Sequence, residues 1–229
     1  MAVDVGRLRD VDRLRAALRD TDRRTAVDDR LPLLPPLERL LGGRLRRGAL
    51  VAVEGTTGRM SLAMALLAGV SAAGGWCGVV GVPSFGCLAA EELGIRLSTL
   101  ALVPWPGVAW PDVVGALLTG MDAVLVDPAV RVPGSLARRL AAKARQHRCA
   151  LVTLGPAWEG SDVRLSARRQ EWAGLADGRG RLRGRRLTVA ASHRPDAELD
   201  LWLPAEDGTV QAAEMPSIAE AGRRRIRAS

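Results

Sequence analysis

The chain has no tyrosine and a single phenylalanine, so its aromatic mass rests on six tryptophans. Cysteine is scarce as well. Cys77, Cys87 and Cys149 make an odd count without CxxC spacing, which argues against a disulfide framework and a thiolate zinc site. They read as buried, reduced thiols. His147 and His193 stand far apart in sequence, each without a metal-ligand companion, so neither is a catalytic candidate and no metal is expected. Glycine, proline or charge interrupts every apolar run well before the ~20 residues of a membrane span. The first twenty residues alternate acid and base and lack an apolar core, so no signal peptide is expected and the expected location is cytoplasmic, at the nucleoid.

Lysine is nearly absent too. Of 33 basic residues only Lys143 is lysine, and the net charge is +8 over 229 residues. A uniform arginine bias is weak evidence of a partner, but its distribution says more. Arg179, Arg181, Arg183, Arg185 and Arg186 crowd one segment, and Arg223, Arg224, Arg225 and Arg227 crowd the C-terminus. Such clusters suit phosphate backbones or acidic protein surfaces.

The hydrophobic pattern divides the chain into three parts. In residues 1–30, Val5, Leu8, Val11, Leu14 and Leu18 recur at helical spacing on one face. That helix either packs on its own domain or docks on a neighbour, and its face with the C-terminal arginines is the candidate partner-binding set. Residues 31–211 follow the "LPLLPP" break with short all-apolar strands alternating with helices. This pattern predicts an α/β core whose mostly parallel sheet is covered on both faces. Strands are expected at "ALVAVE", "WCGVVGV", "LSTLALVPW", "DAVLVDP" and "CALVTLGP". "RLTVAASH" and "ELDLWLP" are expected to pair as an antiparallel hairpin at the sheet edge. Residues 212–229 form a basic tail without strong pattern.

The stretch "VEGTTGRMSLA" has the strand–loop–helix setting of a phosphate cradle. A working P-loop places four residues between two glycines and follows with Lys and Ser/Thr. Here Gly55 and Gly58 enclose only Thr56 and Thr57, then come Arg59 and Met60. Two residues cannot wrap successive backbone N–H groups around a phosphate as four do. A guanidinium is wider and longer than the lysine ammonium, and a thioether is a poor Mg²⁺ ligand. Ser61 is a partial substitute for the missing hydroxyl. Asp127 ends an apolar strand where a Mg²⁺-associated carboxylate would sit, although it can equally cap the turn before Pro128. Glu54 precedes the loop and reads as structural. The loop is vestigial on this reading, with no cofactor expected.

The order of elements resembles the RecA recombinase core across Leu31 to Gly208. "LLGGRLRRGALVAVEG" has the form of the phrase before the RecA P-loop. "ELGIRLSTLALVPWPG" resembles "KLGVDIDNLL" and its Pro-containing turn, and "ELDLWLPAEDG" resembles "EFDIMYGEG". The resemblance implies a RecA-like, P-loop NTPase-type fold. The departures imply loss of catalysis. The stretch corresponding to "DAEHALD", here "GVPSFGCL", holds no carboxylate to position water. The nucleotide-sensing "NQ" is replaced by Gly155 and Pro156, and the large C-terminal domain is missing.

A short, degenerate RecA relative of this composition looks most like the ImuA family, in its actinobacterial ImuA′ form. That resemblance implies an accessory role in SOS mutagenesis and translesion synthesis after DNA damage. The implied partner is an ImuB-like Y-family polymerase homologue, and through it an error-prone DnaE-type polymerase and the sliding clamp. Single-stranded DNA and RecA are further partners to test. One competing expectation is an ATP-dependent recombinase or motor with an atypical loop using ATP and Mg²⁺. Another is DNA binding without catalysis. In RecA relatives the loops after the fourth and fifth strands face DNA, and here that segment carries Trp158, Trp172, Arg164, Arg168, Arg169 and the Arg179–Arg186 cluster. Its tryptophans either stack on bases or fill a core. A SulA-like cell-division inhibitor is the remaining alternative.

Overall fold

The computed structural model describes residues 29–43, 45–128, 130–176, 179–192, 198–205 and 209–213. The expected helix face of Val5, Leu8, Leu14 and Leu18 lies outside these residues, as do His193 and Arg223, Arg224, Arg225 and Arg227.

The apolar runs form the sheet. Strands β1 (Leu50–Glu54), β2 (Cys77–Val80), β3 (Leu100–Val103), β4 (Ala123–Val126) and β5 (Ala150–Leu154) are joined by helices. Helix α1 (Pro35–Leu41) precedes β1, α2 (Arg59–Ala72) follows it, and α3 (Cys87–Glu92) follows β2. Helix α4 (Trp110–Leu117) precedes β4 and α5 (Gly134–Gln146) follows it. Beyond β5 come four further strands, β6 (Val163–Ala176), β7 (Arg179–Ala191), β8 (Glu198–Trp202) and β9 (Gln211–Ala212).

All nine strands form one sheet in the order β3-β2-β4-β5-β1-β6-β7-β8-β9. Pairing is parallel from β3 through β6 and antiparallel from β6 to β9. The fold is therefore α/β, with a mostly parallel mixed sheet, helices on both faces and antiparallel edge strands.

Two apolar clusters show why the inner strands carry no polar alternation. On one face Leu37, Leu41, Leu62 and Leu66 of α1 and α2 pack on Val51, Val53, Val79, Leu125 and Val152. On the other, Val114, Leu140 and Ala144 of α4 and α5 pack on Leu50, Val124, Val126 and Leu151. A strand covered on both sides must be apolar at every position. The outer strands have one cover only. Val163, Leu165, Ala167, Leu187, Val189 and Leu201 point into the first cluster, while Arg164, Arg168 and Arg186 alternate to the polar face.

The structure departs from sequence expectation in two places. The segment after β5 is not a loop: from Val163 it runs as β6 and returns as β7, pairing from Leu165↔Ala191 out to Ala176↔Arg179 with two register shifts. Cys87 is exposed, unlike Cys77 and Cys149. It opens α3, whose only buried residue is Ala90, so the thiol has no core to enter. All three cysteines are free. None of the described helices is long and apolar enough to cross a membrane.

Candidate functional site

The glycine loop joins β1 to α2 at the carboxyl end of the sheet. Strand β1 is held on both sides, by β5 and by β6, so the loop leaves a rigid support. Glu54 anchors its base, its Oε1 accepting the Ala157 N–H at 3.0 Å. This agrees with a structural role for that carboxylate.

Both glycines have a packing reason for being glycine. Gly55 has φ +113°, and a Cβ there would lie 2.7 Å from the Ala167 carbonyl oxygen on β6. Gly58 has φ +78°, and a Cβ would lie 2.7 Å from a Leu187 methyl on β7. Strands β6 and β7 thus crowd the loop that in a phosphate cradle would face ligand. Thr56 and Thr57 are exposed at its tip.

Protein side chains engage the remaining candidate residues. The Arg59 guanidinium lies 3.9 Å from the Asp127 carboxylate. Burial pushes the Asp127 carboxyl above its usual range, and Arg59 partly counters that. The Ser61 hydroxyl accepts a short hydrogen bond from Arg185. Met60 packs against the core. Five of the seven loop-site residues, Gly55 to Arg59, are contiguous, Ser61 follows after Met60, and Asp127 joins them through Arg59 although 68 positions separate Asp127 from Arg59 in sequence. Sequence reading chose Arg59, Ser61 and Asp127 for this site. It missed that Arg185 closes it, since only the β6–β7 return brings residues 124 positions apart together.

The arginines proposed for DNA divide between the faces of the hairpin. Arg185 shares the core-facing side of β7 with Leu187 and Val189. There it also donates to the Leu203 carbonyl at 2.9 Å and sits 5.2 Å over the Trp172 ring. Arg168 and Arg186 lie on the open face and pair with Glu198 and Asp200 of β8. Arg164 is exposed on the same face. Arg169, Arg179, Arg181 and Arg183 are placed on β6 and β7 by their backbones. The tryptophans divide as well. Trp158 is buried with its ring 6.1 Å from that of Trp110, whereas Trp172 is half exposed.

A second polar group missed in sequence lies at the amino ends of the strands. Arg47 Nη1 donates to Asp122 Oδ1 at 2.8 Å, and Asp122 Oδ2 accepts the Trp76 N–H at 2.9 Å. Both side chains are largely buried. Burial, with Asp122 adding, pushes the Cys77 thiol up to about 12 and raises Cys149 as well. These are inert thiols at neutral pH.

Residues 38–160 match the family model described as the MT3502 N-terminal domain, a span that runs from α1 past β5 and stops short of β6. Over 142 residues the chain is 39% identical to the uncharacterized protein Rv3395c of Mycobacterium tuberculosis (strain ATCC 25618 / H37Rv). That match spans 57% of this chain and 70% of the relative. On both matches, this chain belongs to the MT3502 N-terminal domain family.

Proposed function

We propose that the chain is a RecA-like accessory protein without catalysis, serving DNA-damage-induced translesion synthesis in the manner of ImuA′. On this reading it acts by binding an ImuB-like Y-family polymerase homologue, which brings the DnaE-type polymerase and the clamp. Support for the RecA plan comes from the strand order. The loop strand β1 and the Asp127 strand β4 flank β5, with Arg59 reaching Asp127 across its end, and antiparallel strands close the sheet.

One observation carries the non-catalytic reading. The groups that would serve nucleotide and Mg²⁺ are committed to each other: Arg59 faces Asp127, and Ser61 is held by Arg185. No carboxylate follows β2 to position water, because Gly81 to Cys87 are all uncharged. A ligand reaching Ser61 and Asp127 would have to compete with Arg185 and Arg59.

Two measurements test the reading. Purified protein with ATP, Mg²⁺ and single-stranded DNA is expected to show no turnover above background; turnover that Arg59→Ala abolishes would defeat the non-catalytic assignment. Affinity capture from damaged cells is expected to recover a Y-family polymerase homologue. Recovery of the division GTPase in its place would favour the SulA-like alternative. DNA binding is a separate arm, read as retention of single-stranded DNA that weakens as salt rises.

A further inference from the structure

Strand β3 ends the sheet, and among the described residues no strand pairs with its outer edge. On its inner side the Gly81 N–H donates to the Val103 carbonyl at 3.0 Å, so Val103 and Ala101 turn their backbone groups toward β2. Alternation along the strand turns Leu100 and Leu102 to the open side. The turn before the strand already takes the Leu100 N–H, which donates to the Leu97 carbonyl. The edge therefore offers one donor, on Leu102, and two acceptors, on Leu100 and Leu102.

An edge of this kind normally carries a guard, most often a charged side chain. From Leu97 to Pro111 no residue is charged, in a chain that is 25% charged overall. The nearest preceding charge, Arg96, is engaged elsewhere, its Nε donating to the Ser71 carbonyl at 3.1 Å. Apolar side chains stand around the edge instead. Among the described residues, five of the seven large exposed ones, Leu88, Leu97, Leu102, Trp105 and Val108, fall within residues 88–108. Trp105 is 82% exposed and Val108 99%. Both stand on the rim of an open cleft of about 680 Å³ at the carboxyl ends of β2, β3 and β4, which Trp110, Asp127 and Val130 also line.

We propose that this edge binds a second copy of the chain, the two β3 strands pairing antiparallel about a two-fold axis. Leu102 of each copy donates to the Leu100 carbonyl of the other, which places Ala101 on the axis. An alanine suits that position, because side chains approach most closely at a pair without hydrogen bonds. The same register brings each exposed Trp105 toward the exposed Leu97 of the other copy. The two clefts then lie toward opposite ends of the joined edge. Charge selects the same occupant. Copies carrying +8 repel one another, and an uncharged edge is where they can approach, whereas a charged partner finds nothing here to pair with. The area is also sufficient. Trp105, Val108, Leu97 and Leu102 together expose about 500 Å² of apolar side chain, or about 1,000 Å² for a pair, the lower bound of a specific interface. The inference goes beyond the translesion reading and does not depend on it.

Sedimentation velocity of the full chain across the micromolar range is expected to show monomers passing to dimers. Leu102→Lys sets like charges against each other at the joint, and Trp105→Ala removes its largest contact. Each is expected to weaken dimerisation about tenfold or more while keeping the wild-type far-ultraviolet dichroism. In a third variant benzoylphenylalanine replaces Trp105. Irradiation is expected to join it to residues 96–99 of the second copy, mapped by mass spectrometry of mixed light and heavy chains. A monomer at every concentration, a dimer that both substitutions leave intact, or a crosslink that maps elsewhere or forms within one chain would each overturn the proposal.

Discussion

The two wings of the sheet are built on opposite terms. The β3-β2-β4 wing is fully parallel, weakly acidic and edged by apolar residues that face solvent. The β6-to-β9 wing is antiparallel and strongly basic, with eight arginines and two carboxylates in residues 163–191. Several arginines of the second wing are satisfied inside it: Arg168 by Glu198, Arg186 by Asp200, and Arg185 by Ser61 and Trp172. Among the described residues, nothing covers Leu102, Trp105, Val108 and Val130 of the first wing. Composition alone would name the basic wing as the binding surface. Local satisfaction shifts that weight toward the apolar wing, because unsatisfied groups are the ones left to recruit something.

Thiol labelling gives the sharpest contrast within the apolar wing. Cys87 is expected to react with a maleimide under native conditions, while Cys77 and Cys149 react orders of magnitude more slowly, being buried and held as neutral thiols. Equal labelling of all three would break the picture of a closed core there. Next in size is Asp122→Ala, which strands the Arg47 guanidinium at the base of the same wing. It is expected to cost about 3–5 kcal/mol in urea unfolding. Arg185→Ala removes a hydrogen-bonded cation from the basic wing and is expected to cost roughly 1–3 kcal/mol. A cost near zero would mean the arginine is spare, and free for nucleic acid.

Asp127 supplies a pH test of the boundary between wings. Its carboxyl is raised in the folded state, mainly by burial, so the folded protein holds that proton more tightly than the unfolded chain. The group therefore costs stability above its folded pKa, and the cost disappears as pH falls below the ordinary carboxylate value. Asp127→Asn is expected to raise the thermal midpoint at pH 7 relative to wild type, with the gain shrinking toward pH 3–4. A gain that grows on acidification would reverse the assignment. The smallest effect is expected from Glu198→Ala, since its pairing with Arg168 is solvent-exposed: under about 1 kcal/mol.

The wings also differ in how far the sequence reveals them. "LVAV", "AVLV" and "ALVTL" announce doubly covered parallel strands, because apolar cover on both faces leaves Thr153 as the one polar side chain in these runs. The hairpin signal was present in "VRLSAR", where Val163, Leu165 and Ala167 alternate with Arg164, Ser166 and Arg168. Arginine density and the two tryptophans drew attention to nucleic acid instead. At the loop, the loss of Lys and hydroxyl was readable from Arg59 and Met60. The Arg185–Ser61 closure was not, since a contact across 124 positions depends on where β7 lies against the loop, which no local pattern encodes. The cleft escaped for a similar reason: Trp105, Asp127 and Val130 meet only once β2, β3 and β4 lie side by side.

Asp162 ties the basic wing mechanically to the middle of the sheet. Its carboxylate takes the Leu50 N–H at 2.8 Å while its own N–H donates to the Leu50 carbonyl, pinning β6 to the first residue of β1. Farther along, Gly55 nearly touches the β6 backbone at Ala167. The hairpin is thus a lever with its pivot at the root of the central strand and its arm against the glycine turn. Load applied at the tip, by whatever grips it, would be delivered to the turn rather than dissipated in solvent.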